Sequence, residues 1–124
     1  PLRNCFSLVA GHVHEGESVY AAMAREALEE ADMRLQPQDL EVYLTMARRS
    51  GPARAYVDLF MRLRDPSRWD GRFRNCEPAK CSDLRWFPLG ALPAETIEYV
   101  RFAVEQAALP HPVPFVEWTR EFPF

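Results

Sequence analysis

Residues 18–32, SVYAAMAREALEEAD, constrain the fold more than any other stretch. At about 100° per residue, Tyr20, Ala24, Ala27, Leu28 and Ala31 fall on one side of a helix. Glu26, Glu29 and Glu30 gather on the other side, within an arc of roughly 100°. The spacing predicts a helix from Ser18 to about Asp32, with Ser18 or Glu17 as N-cap. Its small alanines allow close approach to a flat partner, so the helix is expected to lie against a β-sheet. A chain of 124 residues has room for one domain with a real core, taken as 1–124, and too little for two.

The rest of the chain supplies that sheet. LEVYLTMARRS and ARAYVDLFMRLR are rich in β-branched and aromatic residues and flank the turn signal SGP, which predicts an antiparallel hairpin. CFSLVA near the start and LRWFPL later read as further short strands. Residues 65–83, broken by Pro, Asp, Gly and Asn, read as loop. LPAETIEYVRFAVEQAAL predicts a second helix with Pro93 near its start, and PHPVPFVEW after it is too proline-rich for a helix. The order strand, helix, strands, strand, helix implies an α/β layered fold with a mixed sheet between helices.

Charge and composition exclude several classes. The formal net charge of -3 gives no basic field for nucleic acid or an anionic membrane. No apolar run approaches spanning length and nothing reads as a signal peptide, so a cytoplasmic location is expected. Cys5, Cys76 and Cys81 are an odd number without a C-x-x-C pair, which argues for reduced thiols over a disulfide frame or a structural zinc site.

Glutamates three and four apart on one helix face repel. A charged face is commonly just solvated, but such faces mix signs, and here only Arg25 offsets three carboxylates. Carboxylates crowded in this way are relieved by a divalent cation. Mg²⁺ takes oxygen ligands, keeps waters and works together with substrate phosphates. A carboxylate face beside a glycine-bearing loop is therefore a candidate site for phosphate chemistry.

The spacing is more specific than the cluster. Five residues separate Gly11 from Glu17, seven more lead to Arg25 and Glu26, two further positions precede Glu29 and Glu30, and Met33 closes the run. This resembles the Nudix box, G-x5-E-x7-R-E-U-x-E-E-x-G-U, with U a bulky aliphatic residue. Two positions depart from it: Ala27 stands where a larger aliphatic is usual, and Asp32 replaces the closing glycine. Asp tolerates the left-handed backbone that a glycine would take there. The segment NCEPAKCSDLRWFPLGALP is similar to a loop in MutT-like nucleoside triphosphate diphosphatase members of that family.

The resemblance implies a Nudix-type α/β/α sandwich with the box helix against a mixed central sheet. It also implies Mg²⁺-dependent hydrolysis of a nucleoside diphosphate-linked compound, with Mn²⁺ as a substitute. Nucleoside triphosphates giving a monophosphate and pyrophosphate are the favoured substrates. Glu29 and Glu30 would bind the metal, Glu26 would bind it or activate water, and the Gly11 carbonyl would approach it. Arg25 would pair with Glu17 or a box glutamate and fix its rotamer. Glu77 would be an added metal ligand or base. Catalysis is thus assigned to Glu26, Glu29, Arg25 and Glu77. The alternative is a non-catalytic Nudix domain that binds a nucleotide as a sensor or interaction module; such domains tend to have lost box glutamates, and this chain keeps them all.

Among aromatic residues, Trp69, Tyr43 and Phe60 are the candidates for contact with a nucleobase, with Trp86 and Phe87 assigned to the core. His12 and His14 would share a face of an extended segment, beside the phosphate site rather than as metal ligands. Only ten residues precede Gly11, where one or two strands are usual in the family. N-terminal strands are therefore expected to be missing, either through a lost segment or through a homodimer in which a second copy completes the sheet.

Overall fold

The structure is a computed structural model that describes residues 8–49, 51–69, 72–79, 87 and 90–119. Its regular elements are α1 (Val19–Ala31), β1 (Leu40–Arg49), β2 (Ala55–Leu63), α2 (Glu98–Ala107) and β3 (Phe115–Trp118), with short 3-10 helices at Pro37–Asp39 and Pro66–Trp69. They form a small α/β fold with a mixed, open three-stranded sheet in the order β2-β1-β3. The chain divides into two compact units, one of residues 1–7, 42–62 and 87–124, the other of residues 8–41 and 63–86.

In the first unit the predicted hairpin forms, and Gly51 takes the positive φ of 77° that its turn requires. On the other side of β1, β3 pairs in parallel, with Thr45 opposite Phe115 and Arg48 opposite Trp118. The proline-rich tail thus ends in a strand that its composition concealed. Pro114 stands just before the strand, where its carbonyl accepts from the Thr45 amide at 2.9 Å.

The core of this unit is Leu44, Met46, Phe60, Ala103 and Trp118, joined by Tyr43, Tyr99, Phe102 and Val116. Arg48 is held at its edge by Asp58 at 2.7 Å, with its guanidinium over the Tyr99 ring at 4.2 Å. Met46 has no exposed surface. Met46→Ala is expected to lower unfolding free energy by about 2–5 kcal/mol, read as a shifted urea midpoint at constant slope.

Helix α2 starts five residues later than Pro93. The Pro93 carbonyl accepts from the Thr96 amide at 3.1 Å, from the Thr96 hydroxyl at 2.8 Å and from the Arg101 guanidinium. These local bonds hold residues 93–96 as a turn, and the helix begins beyond it at Glu98. Leu8, Val9 and Ala10 of CFSLVA are not in a strand, and residues 5–7 lie outside the described residues. The LRWFPL strand also lies outside them, except for Phe87, which is not in a strand.

In the second unit Ser18 caps α1, its hydroxyl accepting from the Ala21 amide at 3.0 Å. Asp32 ends the helix in the left-handed conformation at φ 54°, as its place in the box requires. Ala27 and Ala31 are buried as the periodicity predicts. Leu28 departs from the pattern at 40% exposure, and Ala22, on the glutamate side, is buried. The 10–12 segment crosses that side, so the acidic face is not simply a solvated surface. Among the described residues no helix is long and apolar enough to cross a membrane.

Candidate active site

Three pieces of the second unit carry the site: the loop from Ala10 to Glu17, the outer side of α1, and the loop of residues 72–77. Arg25 ties the first two together. Its Nε and Nη2 donate to the two Glu17 oxygens at 2.8 and 3.1 Å, a fork-to-fork pair. Its Nη2 also donates to the His12 carbonyl at 2.9 Å, which fixes the loop. Its Nη1 donates to Glu26 Oε1 at 2.7 Å and to Glu29 Oε1 at 3.3 Å. The hydrogen bonds from Arg25, then that from the His14 amide at 2.8 Å, pull the Glu17 carboxyl down to about 2. The bonds to Glu17, then to Glu26, raise the Arg25 pKa still further.

Glu26 lies under Gly11, with its side chain only 14% exposed. A Cβ on residue 11 would fall onto the Glu26 carboxyl group, so only glycine admits this approach. Gly11→Ala is expected to displace the Glu26 carboxylate at a cost of about 1–3 kcal/mol and to weaken Mn²⁺ binding, with melting and a metal titration as the readouts.

Glu26 and Glu30 are close enough to share a proton. Burial pushes Glu30 up to about 7, helped by its hydrogen bond with Glu26 and by the charges of Glu26 and Glu77. Glu26 is correspondingly lowered, first by the bond from Glu30 and then by Arg25. The Ala10 amide lies at 3.4 Å from Glu30 Oε1. Glu29 is more open, at 52% side-chain exposure.

The loop that carries Glu77 is attached to the end of α1 by its main chain. The Arg74 amide donates to the Ala31 carbonyl at 2.8 Å, and the Cys76 amide to the Glu30 carbonyl at 3.1 Å. The Glu77 amide donates to Asn75 Oδ1 at 3.0 Å, closing a local turn. These bonds satisfy carbonyls that a helix end leaves open. Nothing in the residue types of 72–77 announces the pairing, because it uses backbone groups that every residue has.

Among the described residues no three His, Cys, Asp or Glu side chains converge as a ready-made cation cage. The Arg25 guanidinium is the positive group in contact with the carboxylates, donating to Glu26 Oε1 at 2.7 Å. The donor set still fits Mg²⁺, which uses one or two carboxylates and fills its remaining positions with water and phosphate oxygens. A carboxyl group with a raised pKa beside a second carboxylate is where a cation can replace a proton.

The aromatic candidates are divided. Trp69 ends the 3-10 helix Pro66–Trp69 in the same unit as the glutamates, half-buried, with the Arg68 guanidinium 5.6 Å from its ring centre. Phe60 and Tyr43 belong to the other unit. Phe60 is buried in its core, and the Tyr43 hydroxyl donates to the Ala103 carbonyl at 2.7 Å while burial pushes it up to about 12. His14 is exposed, with Nδ1 3.9 Å from Glu17, and the His12 carbonyl is its part in the site.

A family model, the NUDIX domain, matches residues 1–110. No solved structure matches the chain. Nudix domains hydrolyse nucleoside diphosphate-linked compounds in general, commonly with divalent cations such as Mg²⁺. The matched span covers most of the chain, and the box residues stand together on one helix and its preceding loop: the chain belongs to the NUDIX family.

Proposed function

We propose that this domain is a Mg²⁺-dependent pyrophosphohydrolase that cleaves a nucleoside triphosphate to a monophosphate and pyrophosphate. The observation that supports it best is geometric: the Glu26 carboxyl group lies directly under Gly11, with Glu30 beside it on the same helix face and the Ala10 amide 3.4 Å from Glu30 Oε1. Glu26, Glu29 and Glu30, with the Gly11 carbonyl and Glu77, are the oxygen donors proposed to hold the cation. When bound, Mg²⁺ supplies charge neutralisation on the phosphates and a more acidic water.

The protein's own groups do the rest. Arg25 holds Glu17, Glu26 and Glu29 in fixed rotamers and keeps the Gly11 loop on the helix. Glu29, held only by long contacts from Arg25 Nη1 at 3.3 and 3.5 Å and half exposed, is the carboxylate assigned to take the proton of the attacking water. Trp69 is the aromatic candidate that shares the unit with the carboxylates, and we assign it the stacking of the base. Substrate is a free nucleotide rather than a nucleic acid polymer, in keeping with the net charge of -3.

The test is product analysis with Mg²⁺ or Mn²⁺ across nucleoside triphosphates, oxidised nucleotides, sugar nucleotides and dinucleotides. Pyrophosphate with a nucleoside monophosphate from a triphosphate is the expected result. Release of a second monophosphate from a dinucleotide or sugar nucleotide instead would move the substrate class. Nucleotide binding without turnover in either metal would make the chain a binding module.

A further inference from the structure

Asp32 replaces the glycine that closes the family's box, and its carboxylate is put to use. Arg74 Nε lies 3.5 Å from Asp32 Oδ2, and Arg34 Nη2 lies 3.7 Å from Oδ1. Glycine at this left-handed position would cost less strain but could make neither contact. Arg74 is also the residue whose amide meets the Ala31 carbonyl, two residues before Cys76, whose amide meets the Glu30 carbonyl. The side-chain pair and the two main-chain bonds therefore join the same two segments, the end of α1 and the loop that leads into Glu77. The main-chain bonds fix the loop's height along the helix. The Asp32–Arg74 pair adds a side-chain contact between the same two segments.

We propose that Asp32, acting through Arg74, is a positioning residue that holds the 74–77 loop on the end of α1 and so places Glu77 beside Glu30. This rests on the reading of Glu77 as an oxygen donor to the cation. Exposed ion pairs are individually weak, and Arg74 is 69% exposed, so the clamp acts on geometry and not on overall stability. A displaced neighbour of a metal site costs 10–100-fold in metal affinity, and the exposure of this pair puts it near the lower limit, about tenfold.

The experiment measures Mn²⁺ binding to the full chain without substrate, by the loss of free-Mn²⁺ signal in electron paramagnetic resonance. Asp32→Asn keeps a residue type that tolerates the left-handed backbone and removes only the charge. Asp32→Gly relieves strain as well, so a folding defect cannot explain its loss of affinity. Both are expected to bind Mn²⁺ about tenfold more weakly, with melting temperature unchanged in Asp32→Asn and not lowered in Asp32→Gly, and with faster amide exchange at Arg74 and Cys76. Arg74→Gln should match them, and Arg74→Lys should recover part of the affinity. In a Glu77→Gln background, Asp32→Asn should cost nothing further, because both changes remove one and the same interaction. Unchanged Mn²⁺ affinity in Asp32→Asn, with a loss in Glu77→Gln, overturns the clamp and leaves Glu77 in place. Unchanged affinity in Glu77→Gln overturns the Glu77 assignment, and the clamp with it.

Discussion

Glu30→Gln is expected to remove activity by at least roughly 100-fold while making the metal-free protein more stable at pH 8, where an ordinary ligand or core substitution would do the reverse. The two effects share one cause. In the unfolded chain Glu30 releases its proton near 4.5, and in the folded protein near 7. Between those values the native state binds a proton that the unfolded state has lost, so stability falls as pH rises from about 4.5 to about 7. Above that window the folded protein carries the full penalty of the ionised group. Glutamine carries none. Solvent screening of this partly exposed group reduces the gain to about 1 kcal/mol. Mg²⁺ should invert the comparison: it replaces the proton in the wild type, stabilises it more at pH 8 than at pH 6, and has little to bind in the variant. Melting curves at the two pH values, with and without Mg²⁺, check this directly. If Glu30→Gln keeps full Mg²⁺-dependent turnover, the carboxylate pair is not the site.

Arg25→Lys is the second large expectation. Lysine keeps the charge and loses the fork that grips both oxygens of Glu17 while reaching the His12 carbonyl, Glu26 and Glu29. The Gly11 loop should loosen, and kcat should fall about 10–100-fold, the range for groups that orient ligands. The acid limb of stability changes as well. Glu17 titrates near 2 when folded against 4.5 for the free side chain. Its contribution is therefore complete above about pH 4.5 and is lost as pH falls toward 2. With the fork gone, that part of the acid limb should flatten. Acid titrations of the wild type, Arg25→Lys and Glu17→Gln, followed by far-ultraviolet circular dichroism, give the comparison. Equal slopes in all three would mean that the Glu17–Arg25 pair does not shape the acid limb.

Much of the candidate site was legible along the chain because its spacing is a local matter. A helix turns by a constant angle, so the interval between Arg25, Glu26, Glu29 and Glu30 already sets their common face. Ser18 and Asp32 mark the helix ends by their own hydrogen-bonding and backbone habits, and both hold those places. The hairpin was equally local, with its turn at Gly51. What failed were readings that depended on distant partners. Pro93 looked like a helix start until its carbonyl was taken by Thr96 and Arg101. Leu28 was placed on the apolar side with Ala27 and Ala31, yet it is 40% exposed. The PFVEW tail became a strand only because β1 offered it a parallel edge, and pairing of that kind leaves no turn signal in sequence.

The sequence by itself determined the box helix, its caps and the hairpin, and it placed Arg25, Glu26, Glu29 and Glu30 of the candidate site on one helix, since each follows from residue type at short spacing. Tertiary structure alone decided the protonation and reach of those groups. Glu30 holds a proton near neutral pH only because burial, Glu26 and Glu77 act on it together. Glu77 comes to the helix end through backbone amides at Arg74 and Cys76, over forty residues away along the chain. Charge interaction and desolvation depend on distance through space, and for residues this far apart in sequence only the folded chain sets that distance.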